Sequence, residues 1–556
     1  MSKVKFCALG GLGENGKNLY VVEVDERIFV LDAGLKFPSV ELYGIDTVIP
    51  NINYLKENKD RVQGIFLSHG HDDHIGAIPE LLKVLNVGVF GTHFTISLVE
   101  MALTDAGLNV SDYRLYRIND EKTLKFGNIS VCFYKTTHSI PESIGVAIKT
   151  TDGAIVYAPD FTFTSNSDKR YATSYGKISA IANDGVLALC SESLGTSNID
   201  RVTNDYAFNH ALTEVLQNSK RVIFSMFSTD LDRIQKVINL SINYNRRVAI
   251  IGRKIQRIIN IAISSDYLKI PEGKLVNLKY IDDKSNNKDD DLAIIVTGNR
   301  HEPYYTLQRM CNGQDRLIQI DEEDSVVNIC PPVTGTEKIA TKSLDTLNRI
   351  GAKVINIPKG ILRSSHADGE DLKMLYEMLN PKYIIPVVGE YRHQYMQKNI
   401  AMDFAFPKEN ILVLENGDQI TFENGVLTPE VKKVTVGDVL VDGSIVGDIN
   451  EVVLKDREML AQDGTILVTI NVDARNKKVL AGPNVVMKGF INGDNVDEIT
   501  LDIASLTRKL IESHFSKKYI DWNILKTDLK DRISKKIYSS IKKNPIVIPI
   551  VIDVED

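Results

Sequence analysis

The run Ser68-His69-Gly70-His71-Asp72-Asp73-His74 gathers three of the chain's ten histidines and the carboxylate of Asp73 into one short stretch. Imidazole nitrogens are strong borderline ligands for zinc, and a carboxylate can complete or bridge a metal site. A lone histidine is ordinarily a satisfied polar residue; the pattern H-x-H-x-D-H behind an apolar segment is not explained that way. His138, in Thr137-His138-Ser139, and Asp160, in Ala158-Pro159-Asp160-Phe161, each follow a β-like segment. Alone each would be ordinary, but beside the histidine cluster they stand where further ligands are expected. Asp32, in Leu31-Asp32-Ala33-Gly34, ends another such segment and is suited to orient a ligand histidine from behind.

Rigid elements must hold these side chains. Short β-branched runs ending near Gly, Asp or Ser predict strands over 4–9, 19–23, 28–32, 64–68, 88–90, 130–134, 145–149, 154–158 and 186–191. Helical patterns intervene over 78–84 and 95–102, which suggests a layered α/β sandwich. From about residue 207 the rhythm changes to longer helix–strand alternation, as in a doubly wound domain, with the polar run 282–291 as a surface loop. Gly- and Asp-rich turns around 435–460 suggest a linker before a final α+β segment. The expected division is 1–206 and 368–445 for the first domain, 207–367 for the insertion, 446–458 for the linker and 459–556 for the last domain.

Length and composition set the bounds. A chain of 556 residues, 43% hydrophobic and 25% charged, is too long for one core. No apolar run reaches the roughly 20 residues that span a bilayer, and the start, Met1-Ser2-Lys3-Val4-Lys5, has no signal-peptide character. Five cysteines without CxxC spacing predict reduced thiols and a cytoplasmic location. The net charge of −7 argues against indiscriminate nucleic-acid binding while leaving room for a local basic channel. Lys and Arg outnumber Asp and Glu from 508 to 543, a pattern ordinarily read as a solvated helical face.

The H-x-H-x-D-H run, the isolated His138 and the later Asp160 together resemble the metallo-β-lactamase fold. With the insertion near 207, the chain is similar to the β-CASP subgroup, whose members cut nucleic acids. Gly10-Gly11-Leu12-Gly13-Glu14-Asn15-Gly16-Lys17-Asn18, His69–Pro79, His138–Ser143 and Pro381–Arg392 resemble the ribonuclease J family across essentially the whole chain. The implied fold is an α/β metallo-β-lactamase αββα sandwich with an inserted doubly wound β-CASP domain and a small α+β C-terminal domain. The resemblance implies one zinc on His69, His71 and His138, a second on Asp73 and His74, and Asp160 bridging both, with manganese an alternative. It implies in-line attack by activated water, His366 serving the leaving oxygen and Glu192 fixing the His366 tautomer. Arg363, Ser364, Ser365 and His366 would contact substrate. The implied activity is 5′-to-3′ exonuclease on 5′-monophosphorylated single-stranded RNA, with endonuclease action, in mRNA decay and rRNA maturation. The implied partners are RNA and a homodimer or hetero-oligomer with a paralogue.

The departures point to weakened catalysis. The family's last ligand histidine falls at Val388, which cannot coordinate metal, and His393 lies five residues beyond it. The glycine before the bridging aspartate is Pro159. Asp232 stands where the family commonly has His, and the phosphate loop reads Thr297-Gly298-Asn299-Arg300-His301-Glu302-Pro303. The pattern is closer to the low-activity second paralogue, leaving a nearly inactive RNA-binding partner subunit as the alternative. A small-molecule hydrolase would share the metal run, but the insertion and the Glu192/His366 pair disfavour it.

Overall fold

A computed structural model of the chain describes all residues except 1, 39–41, 165–167, 199–201, 203, 277, 279–288, 299–301, 333–335, 448, 490–495, 518 and 555–556. Most of the surface loop expected over 282–291, and the centre of the phosphate loop, therefore lie outside the described residues. The chain forms two compact units, one of residues 1–37 with 48–439, the other of 38–47 with 440–556.

The first unit contains two facing sheets. One runs Val426–Leu427, Asp418–Glu423, Lys3–Gly10, Leu19–Val24, Arg27–Leu31, Val62–Phe66, Val89–Gly91 and Leu115–Arg117. The other runs Tyr383–Val387, Val186–Glu192, Gly153–Ala158, Ile144–Thr150, Ile129–Lys135 and Thr123–Phe126. The β-branched and aromatic residues that mark these strands in the sequence supply the core between them: Phe6, Tyr20, Phe29, Phe66, Phe133, Val146, Tyr157 and Ile385 form one buried cluster. Behind the second sheet, Ile178, Leu372, Leu375 and Tyr376 of the helices Tyr175–Ala182 and Gly369–Leu379 bury against Val156, Leu189 and Ile384. This is the expected sandwich. The edge strands Leu115–Arg117 and Thr123–Phe126 escape the sequence reading because they are too short to show a period.

The insertion carries five parallel strands in the order Arg247–Ile251, Leu292–Gly298, Val222–Phe227, Ser325–Asn328, Lys353–Asn356. Helices Tyr206–Asn218, Leu231–Asn243, Glu302–Cys311 and Glu337–Arg349 alternate with them, as the doubly wound expectation requires. The order places Val222–Phe227, the first of these strands in the sequence, at the centre.

In the second unit, Thr465–Asp473 pairs antiparallel with Lys478–Lys488 and parallel with Ile546–Asp553. Helices Val496–Phe515 and Trp522–Ile541 cover one face through Ile503, Ile511, Leu525, Leu529 and Ile533. Two features differ from expectation. The linker placed over 446–458 already contains the start of helix Glu451–Asp463, capped by Asn450, whose side chain accepts from Val453 N at 3.0 Å. Residues 38–47 join this unit because Asp46 N donates to Val441 O, Gly443 N to the Asp46 carboxylate, and Arg457 to Tyr43 O.

Candidate metal centre

The H-x-H-x-D-H run leaves strand Val62–Phe66 and enters the short helix Asp72–Ile75, with His71 as N-cap. Backbone bonds fix this turn against the next loop: Ala33 N donates to His74 O, Leu35 N to Asp72 O and Asn18 N to Asp73 O. Gly34 makes the approach possible, since a Cβ there would lie 1.6 Å from Asp73 O.

Three imidazoles converge. His69 Nε2 lies 3.0 Å from His71 Nδ1, and His138 Nε2 lies 3.1 Å from the same atom. The opposite nitrogens decide the tautomers. His71 Nε2 faces Thr229 O at 3.1 Å and His138 Nδ1 faces Ser365 O at 2.7 Å. A carbonyl only accepts, so both of those nitrogens carry hydrogen, and His71 Nδ1 and His138 Nε2 present lone pairs. The Ser68 hydroxyl donates to Asp32 Oδ2 at 2.8 Å and therefore accepts from His69 Nδ1 at 3.0 Å, leaving His69 Nε2 as a third lone pair. Burial, reinforced by the neighbouring rings His74, His71 and His138, holds His69 well below the ordinary imidazole pKa. Burial does the same to His138, against the pull of Asp160.

Asp160 stands at the centre. Its Oδ2 is 3.6 Å from His69 Nε2, 3.5 Å from His138 Nε2 and 3.6 Å from His74 Nε2. Burial would raise its pKa, but His366, His74 and His138 hold it well below the carboxylate range. The buried Oδ1 has no hydrogen-bond partner. Two groups able to hold a cation result: His69, His71, His138 and Asp160, and Asp73, His74 and Asp160. Converging lone pairs and an orphaned buried carboxylate oxygen are costly without a cation between them, so this donor set fits divalent metal.

The second group is thinner. His74 Nδ1 donates to Asp32 Oδ2 at 2.7 Å, as expected of an orienting aspartate, and Tyr157 OH donates to the same oxygen at 2.7 Å. Asp73 Oδ2 lies 3.5 Å from His74 Nε2. Val388 is buried and supplies no donor atom. Its φ of 50° is an outlier for a β-branched residue. Its N–H donates to Tyr20 OH, which donates to Asn18 Oδ1, while Asn18 Nδ2 lies 3.2 Å from His74 Nε2. His393 does not stand in, because its Nδ1 accepts from Glu390 N in a helix cap.

A third constellation joins Asp160 to Glu192 and His366. His366 Nδ1 is 2.8 Å from Glu192 Oε2 and 3.7 Å from Asp160 Oδ1. Glu192 Oε1 accepts from Phe161 N at 2.7 Å and Ala367 N at 3.0 Å. Burial pushes Glu192 up to about 7. Burial lowers His366, but Asp160 and Glu192 outweigh it and raise the imidazole to about 9. Both shifts favour a proton held between the two groups. Arg363 and Ser364 are placed in a pocket bordering His138, each already bonded to neighbours, with Ser365 beside them.

Sequence reasoning missed Asn18, Tyr157 and Tyr20, and the carbonyls of Thr229 and Ser365. Asn18 had a signal, being the last residue of the glycine-rich run. The others had none.

Comparisons with known proteins agree with this geometry. The Metallo-beta-lactamase superfamily model matches residues 12–172, and the model for the Ribonuclease J, beta-CASP domain matches 219–347. The Zn-dependent metallo-hydrolase RNA specificity domain matches 361–405, and the Ribonuclease J C-terminal domain 452–554. The chain is 37% identical to Ribonuclease J2 of Bacillus subtilis (strain 168) over 553 residues, 99% of each chain. It is 35% identical to Ribonuclease J 2 of Staphylococcus epidermidis over 552 residues, 99% of this chain and 98% of that one. A solved Enterococcus faecalis protein of unknown function shares the fold at 16% identity and a TM-score of 0.52, covering 76% of this chain and 100% of that one. No helix among the described residues is long and apolar enough to cross a membrane. With relatives matched end to end at this identity, and with a histidine–aspartate cluster able to hold divalent metal, the chain belongs to the ribonuclease J family of metal-dependent ribonucleases.

Proposed function

We propose that the chain hydrolyses single-stranded RNA in the cytoplasm as a zinc enzyme of low turnover, working 5′-to-3′ from chain ends and also internally, in mRNA decay and rRNA maturation. The observation that carries this reading is the convergence of the His69, His71 and His138 nitrogens around the Asp160 carboxylate, with His366 beside it. His69, His71, His138 and Asp160 would hold one zinc; Asp73, His74 and Asp160 would hold a second more weakly. When bound, such ions supply Lewis-acid stabilisation of phosphoryl charge and lower the pKa of water. Ser68, Thr229 O and Ser365 O orient the ligand rings, and Asp32 holds His74. Glu192 fixes the His366 tautomer, and His366 gives its proton to the leaving oxygen. The division into a two-part sandwich, 1–206 and 368–445, around an RNA-gripping insertion at 207–367 is part of the same proposal.

Val388 supports the low rate. Val388→His should raise zinc content from about one to about two per chain and speed RNA cleavage roughly tenfold, in line with what metal-site partners contribute. His also tolerates positive φ better than Val. If both proteins hold metal and neither cuts RNA, the catalytic reading falls, and an RNA-binding partner subunit for an active paralogue becomes the account.

The second unit supports assembly. Ile548, Ile550 and Ile552 alternate along the strand Ile546–Asp553 and are 45%, 39% and 44% exposed on the side away from the helices. A second copy of this unit, or a paralogue's, would cover them, residue 459 onward being the assembly domain. Light scattering should give a dimer for the full chain and a shift toward monomer for Ile550→Asp; a wild-type monomer at micromolar concentration would refute homodimerisation.

A further inference from the structure

Asn18 closes the glycine-rich run 10–18 and is buried, with its side-chain amide set against the second cation-holding group. Its Nδ2 donates to Asp73 O at 3.0 Å and lies 3.2 Å from His74 Nε2 and 3.5 Å from Asp73 Oδ2. His74 Nδ1 gives its hydrogen to Asp32, so Nε2 is a lone pair and the amide donates to it. From that nitrogen Asp73 Oδ2 stands at 3.5 Å and Asp160 Oδ2 at 3.6 Å. A tetrahedral zinc ion with bonds of about 2.1 Å keeps its donor atoms about 3.4 Å apart. The amide of Asn18 is therefore spaced from His74 Nε2 and Asp73 Oδ2 as a fourth donor would be.

An amide nitrogen offers a metal only hydrogens, whereas an amide oxygen is a metal ligand. Turning the Asn18 amide half a revolution about its last bond exchanges the two atoms, and the surroundings accept either arrangement. In the present one, Oδ1 accepts from Tyr20 OH at 2.9 Å. That hydroxyl accepts from Val388 N at 3.1 Å and lies 3.3 Å from Gly11 O. After the turn, Nδ2 would donate to Tyr20 OH, whose own hydrogen passes to Gly11 O. Asp73 O keeps its bond from Asn18 N at 3.1 Å. Gly11 provides the room: its φ is 92°, and a Cβ there would lie 2.4 Å from the Tyr20 hydroxyl and 2.6 Å from Asn18 Oδ1. His74 Nε2 loses its donor, and its lone pair is the one a cation takes.

Resting on the metal-centre reading, we infer that Asn18 is the fourth protein donor of the second cation group, its amide oxygen turned toward His74 and Asp73 when an ion enters. Val388 supplies no donor there, and Asn18 takes up that part. The group then offers one nitrogen and three oxygens, against three nitrogens and one oxygen in the first. Imidazole suits zinc, while carboxylate and carbonyl oxygens suit harder ions such as manganese. The second group therefore favours zinc over manganese by a smaller margin than the first. A neutral amide is a weaker donor than an imidazole, which agrees with a second ion held loosely.

The test is metal binding to the full chain, stripped by chelator and titrated calorimetrically with zinc and with manganese; no RNA is needed. The wild type should take one tight ion and one weaker one. Asn18→Leu, close in size and without a donor, should weaken the second ion roughly tenfold or more and leave the first within about threefold. Asn18→Asp presents an oxygen in either orientation and should hold the second ion at least as tightly as the wild type, which separates ligation from packing. A second ion unchanged or tightened in folded Asn18→Leu overturns the inference, the amide then being a bystander or a plug. So does a wild type that takes one ion at saturating zinc, although the first group's reading survives. If the wild type takes no ion, the metal-centre reading itself fails and this inference with it. Should Asn18→Leu fail to fold, a crystal structure of the manganese-loaded wild type decides. Asn18 Oδ1 within about 2.5 Å of the second ion supports the assignment, and Nδ2 still facing His74 overturns it.

Discussion

Asp160→Asn is expected to abolish zinc binding and lower RNA hydrolysis by roughly a thousandfold or more, the loss of several kcal/mol of metal-supplied stabilisation. Among the described residues, Asp160 belongs to every group of the site able to hold a cation, so one substitution reaches all of them. The amide keeps the volume and one oxygen but removes the charge that offsets two cations. Its NH2 would also point hydrogens at nitrogens whose lone pairs a metal requires. The amide is isosteric with the carboxylate, so the metal-free Asn variant should melt near the metal-free wild type. The distinguishing result is linkage: excess zinc should raise the Tm of the wild type and leave that of the variant unchanged. A variant that retains the zinc content of the wild type by elemental analysis would show that Asp160 is not the bridge, and the two-site arrangement would have to be rebuilt around other donors.

The parts of the site written in side chains at short spacing were legible in the sequence. His69, His71, Asp73 and His74 sit on one strand-to-helix turn, and His138 and Asp160 each follow a strand of the opposite sheet, so motif and periodicity converge on them. What was not legible is what the backbone supplies. The tautomers of His71 and His138 are set by the carbonyls of Thr229 and Ser365, atoms every residue possesses. Tyr157 looked like an ordinary core strand residue, yet its hydroxyl steadies Asp32. Resemblance pointed to Val388 as a missing ligand, but only the folded chain reveals its φ of 50° and its link through Tyr20 and Asn18 to His74. The ion pairs of Arg363 with Asp205 and Asp232, and of Lys236 with Asp205, likewise join residues far apart in sequence. In the sequence Asp232 shows only as a departure from a common His, and the fold pairs it with Lys236 and Arg363. The same holds for the second unit, where Gly- and Asp-rich turns around 435–460 concealed the start of helix Glu451–Asp463.

His366→Gln should lower kcat on RNA by a factor of about 10² to 10⁴, the range for removal of a positioned proton donor, while leaving zinc content unchanged. The geometry gives the reason. Nδ1 of His366 is engaged by Glu192, itself pinned by the N–H groups of Phe161 and Ala367, so the ring cannot turn freely. Among the described residues its Nε2 makes no hydrogen bond, and the side chain is 30% exposed. A proton donor matters only when the leaving group needs one. A ribose oxygen departing from RNA does, whereas a nitrophenolate leaves as a stable anion. His366→Gln should therefore lose little on a nitrophenyl phosphodiester and lose most of its rate on RNA. Glu192→Gln should show the same substrate dependence in milder form, because it acts by holding the ring and not by touching substrate. Equal losses on both substrates would remove the proton-donor assignment and make the pair a support for Asp160, whose Oδ1 lies 3.7 Å from the ring.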